Sequence, residues 1–190
     1  FSFNGNKTIT TGGGGLVISK YRERLKHIKY LVNQAKDYGV EMYHSEIGFN
    51  YRMTNISAAL GIAQLQRLKE FLQIKKNIHH IYNKELGSIS NIKLQAQYDE
   101  GDSSWWFTCI LMDDERARLQ LQDLLQISGI PFRRIFSPVH KFTPFKDCRF
   151  SGGDNAETLY KRGICLPSST LNSEEGIDYV CQVIKRFFQC

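Results

Sequence analysis

A single lysine, Lys7, stands inside the opening run Ser2-Phe3-Asn4-Gly5-Asn6-Lys7-Thr8-Ile9-Thr10-Thr11-Gly12-Gly13-Gly14-Gly15, and the apolar Leu16-Val17-Ile18 follows. The pattern predicts a lysine presented from a tight turn between two buried strands. An amine held partly neutral there, by burial or a neighbouring cation, forms a Schiff base with an aldehyde. Consecutive glycines cost backbone entropy, so the run marks a place that needs positive φ or close approach. Two phosphate-loop alternatives fail on spacing. A P-loop needs G-x-x-x-x-G-K-[ST], whereas Asn6 separates Gly5 from Lys7 and the glycine cluster follows the lysine. No strand-to-helix turn carries G-x-G-x-x-G with a later acidic residue. The five cysteines, Cys109, Cys148, Cys165, Cys181 and Cys190, show no C-x-x-C spacing. Neither a metal site nor a disulfide framework is expected, only reduced and mostly buried thiols.

A second polar cluster, His44, Gly48, Asn50, Tyr51 and Arg52, falls in the stretch from Val40 to Met53, where no period holds and a loop is expected. The formal charge of +6 and a pI near 9.1 suit an anionic partner. The basic residues, however, are spread along helical stretches (Lys20, Arg22, Arg24, Lys26 and Lys29; Lys69, Lys75 and Lys76), usually opposite apolar positions. Such runs read as solvated helix faces. A phosphate-bearing small substrate explains the excess as well as nucleic acid does, and no nucleic-acid partner is expected. No apolar stretch is long enough to cross a bilayer, so a soluble, cytoplasmic protein without a membrane partner is expected.

The elements that must position these groups follow from periodicity. Residues 1–19 read as strand, glycine turn, strand. Tyr21 to Lys36 reads as a helix, with Leu25, Ile28, Leu31 or Val32, and Ala35 at helical spacing. Thr54 is a plausible N-cap for a long helical stretch from Asn55. Ile56, Ala59, Leu60, Ala63, Leu68, Phe71, Ile74, Ile78 and Tyr82 fall near one stripe, as one long helix or two joined by a bend. Ala58, Ala59, Gly61 and Ala63 suit close helix packing. Further on, Ile92–Leu94, Trp105–Met112 and Ile130–Phe136 read as strands. Asp113-Asp114 caps a helix to Ile127 with Leu119, Leu121, Leu124 and Leu125 inside, stopped by Gly129. Asp154–Arg162 and Ser173–Phe188 close the chain as helices, the last with Ile177, Val180, Ile184 and Phe187 on one face. The Trp105-Trp106 pair reads as core strand with one ring turned outward, and His44, His79 and His80 as surface or core residues. Strands alternating with helices imply a small α/β domain.

Two segments together are far more specific than either alone: the opening run, and Gly48-Phe49-Asn50-Tyr51-Arg52-Met53-Thr54-Asn55-Ile56-Ser57-Ala58-Ala59-Leu60-Gly61. They resemble the pyridoxal-phosphate-dependent sugar aminotransferases of the DegT/DnrJ/EryC1/StrS family. Gly129-Ile130 before Arg133, Pro138-Val139-His140, and Arg162-Gly163-Ile164-Cys165-Leu166-Pro167-Ser168 extend the resemblance to the end of the chain. The resemblance implies that Lys7 is the lysine that holds pyridoxal 5′-phosphate covalently and afterwards shuttles a proton as general acid/base. It implies that Ser2 is a ligand of the cofactor's phosphate. Asn50 is similar to the family's asparagine that reaches across a homodimer interface to the phosphate bound by the neighbouring subunit. Tyr51 and Arg52 would lie nearby, facing cofactor or nucleotide sugar, and Arg133 and His140 on the substrate side of the C-terminal region. Gly13, where many members carry an acidic residue, resembles the subgroup acting on N-acetylated amino sugars.

The fold implied is α/β: the C-terminal part of an aspartate-aminotransferase-like large domain over residues 1–72, with the start of a long interdomain helix, then a small α/β domain over 73–190. The family's large domain begins well upstream of the lysine. The resemblance therefore also implies that the phosphate-holding helix N-terminus, the aromatic residue stacked on the pyridine ring and the aspartate at the ring nitrogen lie outside this chain. Apolar faces of the first segment should then be uncovered. The implied reaction moves an amino group from glutamate to a keto-deoxy sugar on a nucleoside diphosphate, for surface polysaccharide or glycan synthesis. The 190 residues alone are expected to be inactive; the alternative is a truncated, non-catalytic relative serving as an oligomerisation or interaction module.

Overall fold

The computed structural model describes residues 1–39 and 41–189; Val40, where the expected loop begins, and Cys190, one of the expected thiols, lie outside the described residues. The chain divides into two compact units, Phe1–Glu70 and Phe71–Cys190. No helix among the described residues is long and apolar enough to cross a membrane.

The first unit opens with a hairpin. Phe3 N donates to Gly14 O at 3.0 Å, Leu16 N to Phe1 O at 2.8 Å and Thr11 N to Phe3 O at 3.0 Å, and Ser2 lies opposite Gly15. The glycine run is explained residue by residue. Gly12 and Gly14 take φ of +80° and +88°, and a Cβ on Gly15 would sit 2.6 Å from Phe1 O. The two flanks are not buried strands as expected. Pairing stops at Leu16, and Leu16, Val17 and Ile18 are 49%, 57% and 67% exposed.

Helix α1 (Arg22–Leu31) ends earlier than its apolar spacing predicts. Gln34 and Ala35 take positive φ, and Ala35 N returns to Tyr30 O at 3.0 Å, which reverses the chain. Strand β1 (Lys36–Asp37) then pairs antiparallel with β2 (Tyr43–His44), so His44 lies on a strand within the expected loop. Thr54 accepts a hydrogen bond from Ser57 N at 3.2 Å and caps α2 (Asn55–Gln66). A break at Arg67 separates α2 from α3 (Leu68–Leu86), which gives the bent alternative. None of α2 is buried; its small residues serve the hairpin, since a Cβ on Gly61 would meet Thr11 Cγ2 at 2.9 Å.

In the second unit β3 (Ile92–Leu94), β4 (Thr108–Met112), β5 (Arg133–Arg134) and β6 (Gly163–Leu166) form a sheet in the order β3-β4-β6-β5, antiparallel throughout. Helices α3, α4 (Glu115–Ile127) and α6 (Glu174–Gln189) pack on one face, and α5 (Asn155–Arg162) leads directly into β6. The core joins Ile110, Met112, Ile164 and Leu166 of the sheet to Tyr82 and Leu86, Leu121 and Leu125, and Ile177 and Ile184 of the helices. Asp114 caps α4 by accepting from Ala117 N at 2.8 Å, and Gly129, at φ +69°, ends it. Four readings need correction. Leu119 is 50% exposed rather than inside. Strand β4 starts at Thr108, because Trp105 takes φ +46° and turns the chain. The paired part of Ile130–Phe136 is only Arg133–Arg134. Lys75 is buried, not on a solvated face. The internal strand β6 went unread as an element: a short apolar run buried on both sides carries no alternation.

Candidate active site

Lys7 sits half-buried at the tip of the hairpin, where its backbone N–H closes a turn onto Asn4 O at 3.0 Å. The loop beside it is pinned from several sides. Thr10 Oγ1 donates to Phe3 O at 3.1 Å and accepts from Gly12 N at 2.9 Å. Thr10 N donates to Gln64 Oε1 of α2 at 3.4 Å, and the buried Thr11 hydroxyl donates to Gly13 O. Ser2, exposed, keeps its hydroxyl at the hairpin's base, accepting from Asn4 N at 3.4 Å. Beneath lies a small apolar cavity of about 140 Å³, between Phe3, Ile9 and Thr11 on one side and Met53, Gly61 and Leu65 on the other.

Asn50 is held by its backbone and shows its side chain to solvent. Phe49 N donates to Leu31 O at 2.8 Å, Gln34 N to Phe49 O at 3.0 Å and Tyr51 N to Val32 O at 3.0 Å, with Asn50 opposite Asn33. The segment thus lies along the reversed end of α1. Gly48 permits this, because a Cβ there would collide with the backbone of Gln34 and Ala35. Tyr51, 73% exposed, stacks its ring on Phe49 at 5.1 Å. Arg52 lines an open cleft of about 390 Å³ with Lys26, Lys29, Lys36 and Tyr38. Lys26 and Lys29 were read only as a solvated helix face; their i, i+3 spacing is the signal that puts both on one side. Asp37 borders this region. Hydrogen bonds from Ser45 and from Tyr30 Oη hold its carboxyl below the usual range despite partial desolvation.

In the second unit Arg133 lies on β5 with its guanidinium 5.9 Å from the centre of the Phe107 ring. His140 lies in a short 3₁₀ turn, Val139–Lys141, its ring 4.2 Å from that of Phe150. Arg133 and His140 therefore have separate aromatic neighbours. An aromatic row, Phe107–Trp106–Phe136, with ring centres 4.4 and 6.0 Å apart, adjoins Arg133. Behind that row Lys75 Nζ donates to Ser168 O at 2.7 Å and to Trp106 O at 3.2 Å. Burial pulls this amine below the ordinary lysine range. Ser168 Oγ accepts from Thr108 N at 2.9 Å, and His79 stacks on the buried Trp105 at 3.4 Å. Sequence reasoning missed this network, because a lysine on an amphipathic helix carries no local sign that it turns inward.

The family profile for DegT/DnrJ/EryC1/StrS aminotransferases matches residues 1–185. The chain belongs to this aminotransferase family. Among individual relatives, EpsN of Bacillus subtilis, provisionally named a pyridoxal phosphate-dependent aminotransferase, is 35% identical over 192 residues, covering 99% of this chain and 50% of EpsN. GDP-perosamine synthase of Escherichia coli O157:H7 is 35% identical over 188 residues, covering 99% of this chain and 51% of the synthase. The fold agrees with a solved member of the aminotransferases, TlmJ from Streptoalloteichus hindustanus, at a TM-score of 0.91 and 21% identity, over 99% of this chain and 51% of TlmJ. The chain spans about half the length of the curated relatives it matches. The donor chemistry of the first unit, a primary amine at Lys7, a hydroxyl at Ser2 and a carboxamide at Asn50, fits the family's cofactor, an aldehyde that carries a phosphate.

Proposed function

We propose that this chain supplies the lysine-bearing part of a pyridoxal-phosphate-dependent aminotransferase that moves an amino group from glutamate to a keto sugar carried on a nucleoside diphosphate. Lys7 would bind the cofactor's aldehyde carbon, Ser2 its phosphate, and Asn50 the phosphate held by a second copy of the chain in a homodimer. When bound, the cofactor supplies an electron sink for the carbon that loses its proton. The chain's own contribution is to hold and move that proton. Lys7 Nζ, when not bonded to the cofactor, would serve as the general base that holds this proton and gives it back. Tyr51, Arg52, Arg133 and His140 are assigned to the substrate, the arginines to its anionic diphosphate.

The observation that carries this reading is the hairpin that fixes Lys7. Positive φ at Gly12 and Gly14 and the Thr10 and Thr11 hydroxyl bonds set the tip, while pairing of Phe1 and Phe3 with Leu16 and Gly14 sets the base. An ordinary surface lysine needs none of this. Borohydride reduction of the whole protein after incubation with pyridoxal phosphate tests it. The expected result is a phosphopyridoxyl mass on the Lys7 peptide, absent from Lys7→Ala. Labelling of another lysine, or an adduct unchanged in Lys7→Ala, overturns the assignment.

A further inference from the structure

Cys109 and Cys165 face each other across the two central strands of the sheet. They are register partners in β4 and β6, and their sulfurs lie 3.6 Å apart. The carbonyl of Cys109 accepts from Gln95 N on the β3 side at 3.2 Å. In an antiparallel ladder a residue's N–H and C=O point the same way, so toward β6 Cys109 belongs to a non-hydrogen-bonded pair. Such pairs bring Cα atoms to roughly 4.5 Å and side chains closest together, inside the separation a disulfide spans without backbone movement. Among the described cysteines, Cys181 lies on α6 and Cys148 outside the strands, so neither faces a cross-strand cysteine.

From this juxtaposition we infer that Cys109 and Cys165 form a reactive dithiol, closed to a cross-strand disulfide by a small two-electron oxidant of the peroxide class and bridged when reduced by trivalent arsenicals. The Cys109 S–H and the neighbouring Arg133 favour the thiolate on Cys165, while accommodating that charge pushes the Cys109 thiol up. Cys165 itself is almost fully buried, but Cys109 is only partly so and lines an open cavity of about 510 Å³ with Lys93, Leu111, Ile135 and Leu159. A molecule the size of hydrogen peroxide that enters this cavity meets Cys109, whose sulfur lies 3.6 Å from that of Cys165. The Cys165 thiolate attacks one peroxide oxygen; an S–O bond forms, the O–O bond breaks, and hydroxide leaves as water after taking a proton. Cys109 then attacks the oxidised sulfur; the S–S bond forms, the S–O bond breaks, and the Cys109 proton leaves with a second water. Both thiols are oxidised and the peroxide is reduced to water.

The test uses the whole protein, folded, with no reference to amino transfer. After hydrogen peroxide treatment, remaining thiols are alkylated and the unreduced digest is read by mass spectrometry. The expected product is a Cys109–Cys165 linked peptide lacking two hydrogens, returned to two alkylatable thiols by dithiothreitol. It should be blocked by prior phenylarsine oxide and kept in Cys148→Ser. Alkylation of both Cys109 and Cys165 after peroxide, oxidation confined to Cys148 or Cys181, or a link seen only in denaturant would each overturn the inference.

Discussion

At the scale of single residues, the protein uses lysine in opposite ways. Lys7 is held at a hairpin tip with its amine assigned to carbonyl chemistry, whereas Lys75 is buried and spends its protons on the carbonyls of Ser168 and Trp106. The Lys75 environment has a definite pH signature. Its folded pKa lies below the ordinary lysine value of 10.5 because burial disfavours the charge. Between the folded and unfolded values the unfolded chain binds more protons, so stability rises with pH across that alkaline window and loses the contribution below it. Lys75→Met, which keeps the stem and removes the amine, should flatten this rise; the difference in Tm between wild type and variant, followed from neutral pH to about the ordinary lysine pKa, measures it. Thr54→Ala removes the hydroxyl that accepts from Ser57 N and should cost about 1 kcal/mol in chemical denaturation.

At the scale of elements, what was legible depended on whether the signal was local. Caps were: Thr54 and Asp114 precede helices that start where expected, and Gly129 ends α4 at positive φ. Long amphipathic helices were legible too: of the residues their spacing selects, Leu121, Leu125, Ile177, Val180 and Ile184 are buried and Leu124 and Phe187 partly so, and only Leu119 is exposed. Strand ends were not. Trp105 and Ile130 begin apolar stretches, yet pairing starts only where a neighbour supplies a ladder, at Thr108 and Arg133. Strand β6 has every residue buried, so it lacks the alternation that marks a half-exposed strand. The candidate site divides in the same way. Lys7, Ser2 and Asn50 stood out through motif and glycine context, while the burial of Lys75 and the placing of Lys36 beside Arg52 arise only from chain reversal and packing.

Two substitutions test the elements that matter most. In Gly14→Ala the left-handed backbone should cost about 1–2 kcal/mol, and the new methyl also approaches Met53 Cε at 3.3 Å. Loss of cofactor trapping at Lys7 should accompany the lower Tm. In Gly163→Ala the Cβ would meet Leu159 O at 2.6 Å and the Ile135 side chain. It should destabilise by about 1–3 kcal/mol, read by denaturant titration.

At the scale of the whole molecule, the two units bury their apolar residues unequally. The second has one continuous core of helices on a sheet. In the first, Ile47, Ile56, Ile62 and Leu65 are all more than half exposed. Both tryptophans, Trp105 and Trp106, belong to the second unit. Within that unit their emission serves as an acid gauge. Trp105 is stacked on His79, and burial, with His80 nearby, keeps this imidazole neutral to lower pH than usual. A protonated imidazole in van der Waals contact with an indole quenches it. In Trp106→Phe the fluorescence should therefore hold steady through neutrality and fall only below the ordinary histidine value of 6.5.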